Sequence, residues 1–179
     1  MAQYIISQET LHALHPDSRV FPSNGKKADV KPGENPTVLP TALLQRFQHT
    51  FLIRTPEKSI PSYYKCTQEK AAGFDFFDPA EAGYKELKLL HDWIADPSST
   101  FHQPAEADER YASFPVQKQA MPPPLVSASV LLENPGAVLQ QYCEALGVPF
   151  DETMLSWNPG AVDIWAKWGK YHESAEGSS

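Results

Sequence analysis

HTFLIRTPEKSIPSYYK, residues 49–65, decides how this chain is read. The apolar run Phe51-Leu52-Ile53 stops at Arg54, Pro56 follows, and Ser62 stands eight residues after the arginine. A short apolar run bounded by a turn signal predicts a buried strand, and the residues after Pro56 predict a helix through about Thr67. Pro61 within that helix removes one backbone donor and predicts a kink or a late start. A guanidinium then stands at the carboxyl end of a strand, where open α/β sheets bind ligands. The neighbouring helix start offers N–H groups and a favourable dipole to an anion. Arginine suits phosphate because its planar fork donates two hydrogen bonds at once.

Working outward, Thr41–Gln48 reads as a short helix with Thr41 as its cap and Leu43, Leu44 and Phe47 on one side. Before it, residues 16–40 hold five prolines and no period, which predicts a long loop. Ala2–Ile6 is a short apolar piece, strand or helix, and Gln8–Leu14 allows one or two helical turns. On the other side, Asp78-Pro79-Ala80-Glu81 predicts a capped helix start, with Tyr84, Leu87, Leu90 or His91, and Ile94 facing inward and an end near Asp96-Pro97. Residues 97–123 are again loop-rich. Leu125–Leu132 (LVSASVLL) reads as a buried strand. Asn134-Pro135 opens a helix whose apolar positions Val138, Leu139, Tyr142 and Leu146 recur at helical period, and Gly147 closes it. A last helical piece falls near Asp151–Ser156. The order strand, helix, helix, strand, helix predicts an α/β fold with a parallel sheet.

The chain has 179 residues, 41% of them hydrophobic and 21% charged, enough for one domain with its own core. The net charge of −7 argues against general nucleic-acid binding, which rests on basic patches. Cys66 and Cys143 make neither a disulfide framework nor a metal quartet, and read as reduced thiols. The N-terminus lacks the charged and apolar regions of a signal peptide, and no run approaches the roughly 20 apolar residues of a membrane helix. These readings predict a cytoplasmic protein without a membrane or nucleic-acid partner.

The stretch 49–65 resembles the 3′-phosphate-binding motif of the sulfotransferase family, in which a strand-end arginine and a serine eight residues on hold the 3′-phosphate of the sulfate donor PAPS. Leu125–Trp157 (LVSASVLLENPGAVLQQYCEALGVPFDETMLSW) resembles a later strand-and-helix unit of the same family, with an acidic Asn-Pro turn and a Leu-Gly-Val-Pro-Phe exit. The resemblance covers roughly residues 40–160, and is nearest to the P-loop sulfotransferase-like proteins of fungi and bacteria. It implies a partial P-loop-type three-layer fold around a central parallel sheet, with long Pro-rich loops. It also implies a single sulfotransferase-like domain over 1–179. Arg54 and Ser62 are the cofactor-binding residues it implies, with PAPS or adenosine 3′,5′-bisphosphate as the ligand.

The family's Gly-rich phosphosulfate loop has no counterpart here. The nine glycines are scattered, and none stands in a strand–Gly–Lys–Ser/Thr context. The chain looks like the family's middle and C-terminal portion, without its first βα unit. By itself it is expected not to transfer sulfate at a normal rate, since charge developing on the leaving phosphate needs its own donors. The implied reaction is sulfuryl transfer from PAPS to a hydroxyl or amine of a small-molecule acceptor, degenerate if the loop is truly lacking. Two other readings stand beside it. One is the same scaffold reused for a cyclase- or isomerase-like reaction. The other is a non-catalytic binding or homo-oligomerising module, since a missing βα unit exposes a sheet edge.

His172, after Trp165 and Trp168, is the candidate general base, because histidine changes charge near neutral pH and aromatic walls suit a substrate pocket. Packing of those tryptophans on the core is the plainer reading. His12 and His15 share a helical spacing but have no carboxylate or cysteine at ligand distance, so no metal site is predicted. Lys58 and Lys65 lie near the anion motif and read as solvated helix lysines.

Overall fold

A computed structural model describes residues 30–68, 77, 82–106 and 108–156. Among them the chain mixes helices with a small parallel sheet of two strands. The elements in order are α1 (Thr41–Leu44), β1 (Phe51–Ile53), α2 (Pro56–Thr67), α3 (Tyr84–Ala95), β2 (Leu125–Ser127), α4 (Ala128–Glu133) and α5 (Pro135–Leu146). Single 3₁₀ turns stand at Thr100–His102, Glu109–Tyr111 and Glu152–Leu155. No helix among the described residues is long and apolar enough to cross a membrane.

The chain divides into two compact units. The first combines the chain up to Phe51 with Gly83–Pro124. Its core is Leu39, Leu43, Leu44, Phe51, Trp93, Ile94 and Phe101, with Phe47, Leu87, Leu90 and Tyr111 packed against it. The predicted inner face of α3 is present, but Trp93 is its second fully buried residue beside Ile94. Trp93 donates its indole N–H to Thr100 Oγ1 at 3.0 Å and meets Phe101 edge to face, with centroids 5.1 Å apart. Irregular segments hold this unit together by side-chain-to-backbone bonds. Asn35 donates to Leu39 O and Thr41 Oγ1, at 2.8 and 3.1 Å, and accepts from Thr37. Gln45 donates to the carbonyls of Phe101 and Gln103, at 2.6 and 2.8 Å, and Arg46 to that of Phe114. Loops without a ladder must satisfy their polar backbone in this way.

The second unit combines Leu52–Ala82 with Leu125 onward. Its helix α5 obeys the sequence closely. The Asn134 side chain accepts from Ala137 N, Pro135 takes the first position, and Gly147 closes the end at φ 66°, a left-handed conformation that suits glycine. Val138, Leu139, Tyr142 and Leu146 are half-buried on one face, and Cys143 between them is the buried one. Asp151 caps the following 3₁₀ turn through Thr153 N at 2.8 Å.

Four expectations are corrected. The extended run at Leu125 lasts three residues and turns into α4, where Ala128, Leu131, Leu132 and Glu133 are better helix than strand formers. The strands are buried only at Phe51: Leu52 is 60% exposed, Ile53 39% and Leu125 51%. Thr41 is not a cap; the α1 cap position is Pro40, and the Thr41 hydroxyl accepts from Asn35 instead. α1 is also shorter than Thr41–Gln48, because its last residues tighten into turns of the 3₁₀ kind. The described part of α3 begins at Tyr84 after Gly83 in the left-handed region (φ 68°), while Asp78–Glu81 lie outside the described residues.

Ser99 is fully buried, and its hydroxyl makes no hydrogen bond. An unpaired buried hydroxyl costs free energy that alanine does not incur. Ser99→Ala should therefore raise stability by about 1 kcal/mol, read as a higher urea midpoint. A lower midpoint would mean that the hydroxyl has a bonding role in solution.

Candidate functional site

The predicted anion motif is local to the second unit, apart from its entry strand residue. β1 ends at Ile53, Arg54 and Thr55 make the turn, and α2 starts at Pro56. The Thr55 carbonyl accepts from Lys58 N at 3.0 Å and Ser59 N at 2.9 Å, so the helix begins directly after the arginine. Proline at the first position forgoes a donor that has no partner there in any case. Pro61 lies inside α2 and removes the N–H that would have bonded the Glu57 carbonyl, yet the helix runs on to Thr67. The late start is therefore not adopted.

Arg54 is exposed, and Ser62 is half-buried on α2. Ser62 stands about 9 Å along the helix axis from Pro56, at 1.5 Å per residue. Thr55, Ser59 and Ser62 recur at four and three residues, which places three hydroxyl-bearing residues on one face of the turn and helix. Ser59 escaped the sequence reading, although the helical period contains it. Two groups set the charge at the helix start besides Arg54. Lys58 adds a cation, and Glu57 places a carboxylate in the first turn, where it meets the positive end of the helix dipole itself.

Around Ser62 the helix carries Tyr63 and Tyr64, whose rings meet Phe77 at centroid distances of 5.3 and 5.2 Å. Further along this unit, Ser127 ends β2 at the cap position of α4. Its hydroxyl makes no capping bond and pairs with Ser129 Oγ at 2.9 Å. His172 lies outside the described residues. No cluster of three or more metal-ligating side chains occurs among the described residues.

The lead-in to β1 belongs to the first unit and is held unusually well. His49 N–H donates to Gln119 Oε1 at 2.7 Å, and Gln119 Nε2 donates to His49 O at 2.9 Å. The His49 ring donates from Nε2 to the Leu44 carbonyl at 2.9 Å and meets Phe101 edge to face. Phe51 N donates to Pro124 O at 2.8 Å. Burial holds the His49 imidazole below its ordinary pKa of 6.5, and the bond to Leu44 works the other way. The unfolded chain thus takes up a proton near pH 6.5 that the folded chain declines. The stability contribution is complete above that value and is lost as pH falls from it toward the folded pKa. Urea midpoints should drop on acidification below pH 6.5, and more steeply than in His49→Gln. Parallel profiles for the two proteins would assign the drop to other groups.

A shallow groove in the first unit, about 430 Å³, is lined by Gln45, Arg46, His102, Gln103 and Glu106 among others. Gln45, Arg46 and His102 spend donors on backbone carbonyls. It gathers no reactive group beyond them.

Comparison with known proteins bears on this geometry. Residues 93–178 match the sulfotransferase domain family. This part of the chain is similar to sulfotransferase domains. The match includes Leu125–Trp157, the second stretch of resemblance, and it begins after Arg54 and Ser62. Two curated relatives from Arabidopsis thaliana are similar over most of the chain. Branched-chain-amino-acid aminotransferase-like protein 1 is 27% identical over 146 residues, 79% of this chain and 21% of its own length. Branched-chain-amino-acid aminotransferase-like protein 2 is 26% identical over 133 residues, 73% of this chain and 18% of its own length. The sulfotransferase-like chain thus spans about a fifth of the length of the curated relatives it matches. No solved structure matches.

Proposed function

We propose that this sulfotransferase-like chain binds the 3′-phosphate end of PAPS or adenosine 3′,5′-bisphosphate through Arg54 and Ser62. The observation that carries the reading is the placement of Arg54 between the carboxyl end of β1 and the start of the 12-residue helix α2. A guanidinium there can meet a phosphate in two-point fashion, and the Thr55–Ser59–Ser62 face supplies hydroxyl donors. The family match over residues 93–178 supports the same reading from the other half of the chain. In the reaction that this implies, an acceptor oxygen or nitrogen attacks sulfur as the bond from sulfur to the 5′-phosphate oxygen breaks. The acceptor's proton passes to a base, for which His172 is the candidate, and the bisphosphate leaves with the bonding electrons. A three-layer P-loop-type arrangement and a small-molecule acceptor belong to the same proposal.

Calorimetric titration tests it. Adenosine 3′,5′-bisphosphate should bind about tenfold or more tighter than adenosine 5′-monophosphate, since only the former offers the 3′-phosphate. Equal affinities, or no binding of either, would remove the reading. Glu57 gives a further expectation. Its carboxylate repels a phosphate at the helix start, so Glu57→Gln should tighten the bisphosphate two- to fivefold, on the order of 0.3–1 kcal/mol at low salt. Weaker binding would place the phosphate elsewhere.

A second reading, a self-associating module, is favoured by the exposed apolar side chains of both strands. Light scattering across a hundredfold range of concentration decides it; a constant monomer mass would dismiss it.

A further inference from the structure

We infer that the groove of the first unit is a binding site for a free α-amino acid with an apolar side chain, a site that needs neither Arg54 nor a nucleotide. Three segments form its walls: the end of α1, the chain following the 3₁₀ turn at Thr100–His102, and the chain around Val116. No ladder joins them; bonds from the end of α1 do so instead. Gln45 Nε2 gives its hydrogens to the carbonyls of Phe101 and Gln103, at 2.6 and 2.8 Å, and Gln45 O accepts from Gln117 N at 2.9 Å. Arg46 donates from Nε to Ala42 O at 3.2 Å and from Nη1 to Phe114 O. The walls and the guanidinium are thereby held before any ligand arrives, which lowers the ordering cost of binding. The volume of about 430 Å³ falls within the range of roughly 300–1,000 Å³ usual for small-molecule sites.

What these bonds leave over defines the ligand. On Arg46 they leave the hydrogens of Nη2 and one of Nη1, for which a carboxylate is the fitting acceptor. On Gln45 both N–H donors are spent, so Oε1, an acceptor, remains. The His102 ring bonds the Ile94 carbonyl through Nε2 at 2.9 Å. A carbonyl only accepts, so Nε2 carries the proton and Nδ1 of the neutral ring keeps its lone pair. Glu106 adds a carboxylate to the same lining. Three acceptor groups match the three N–H bonds of an ammonium. Among the described residues neither Arg46 nor Glu106 enters an ion pair, so the groove carries a cation and an anion that do not neutralise each other. A zwitterion answers both charges, whereas a phosphate or a plain amine answers one and meets its like in the other. Ala42, Pro104, Ala105 and Val116 complete the lining with short apolar side chains, which suit an apolar side chain on the ligand.

The test uses the full chain with L-methionine as the probe, followed through backbone amide NMR signals, with thermal melting alongside. L-Methionine should shift the signals of residues 42–46 and 102–106 and reach saturation. N-acetyl-L-methionine lacks the ammonium and L-methioninamide lacks the carboxylate, and each should bind about tenfold or more weakly. Glu106 is exposed, so Glu106→Gln should leave the melting temperature unchanged. That variant should weaken L-methionine about threefold, the scale of an exposed charge pair, and leave N-acetyl-L-methionine where it was. Shifts that do not saturate, or that fall only outside the groove, would overturn the inference. Equal affinity for L-methionine and its N-acetyl form would overturn it too, because the groove would then take any carboxylate. An equal loss of both ligands in Glu106→Gln would remove Glu106 as the partner of the ammonium. Binding of adenosine 3′,5′-bisphosphate, present or absent, alters none of these outcomes.

Discussion

Trp93→Ala is expected to cost about 3–5 kcal/mol, the range for buried aromatic truncation. Three losses coincide at this position. The ring is 4% exposed, so its whole apolar surface returns to a cavity that α3 cannot close. The edge-to-face contact with Phe101 at 5.1 Å disappears. The indole N–H no longer bonds Thr100 Oγ1, although that hydroxyl keeps its bond to the Gly33 carbonyl at 3.0 Å. Domains of this size have stabilities of about 5–15 kcal/mol, so the variant should lie close to unfolding at room temperature. Leu132→Ala makes the contrast. Leu132 is 83% exposed, and its loss should stay within about 0.5 kcal/mol. Urea unfolding of both variants checks the pair. A Trp93→Ala loss below that of Leu132→Ala would show that the core of the first unit is not organised around Trp93.

Arg54→Ala should weaken adenosine 3′,5′-bisphosphate by about 30-fold or more, equivalent to about 2 kcal/mol. A charge-assisted two-point contact is worth about twice a neutral hydrogen bond. Ser62→Ala should lose less, about 1 kcal/mol, because a hydroxyl gives a neutral donor. Arg54 is exposed, so its truncation should barely move the melting temperature. That separation of affinity from stability is the diagnostic. Unchanged affinity in Arg54→Ala would sink the assignment, whatever Ser62 does.

The helices were legible where local chemistry fixes them. Asn134-Pro135 and Gly147 bound α5 at both ends, and Pro56 opens α2, because caps and prolines act within one turn of chain. Leu125–Leu132 was misread because a short apolar run has no decisive period; whether it becomes strand or helix is settled by what it pairs with. Trp93 is covered by Phe101 from the turn after α3, and Gly33 comes against Ser99 from a distant loop, which no periodicity announces. Of the proposed anion site, Arg54 and Ser62 stand out by spacing, whereas Ser59 shows only through the helical period of α2. Glu57 was in plain view at the start of α2, and its repulsion of a phosphate follows from position alone.

Cys143 gives the molecule an internal clock. The thiol is buried in α5, with Met154 Sδ 3.9 Å away on the following 3₁₀ turn. A thiolate reacts only where reagent can reach it. Alkylation of Cys143 therefore waits for α5 and that turn to part, and its rate counts those partings rather than the reagent's own speed. Recorded with and without adenosine 3′,5′-bisphosphate, the same rate would tell whether the nucleotide quiets the helix at Cys143.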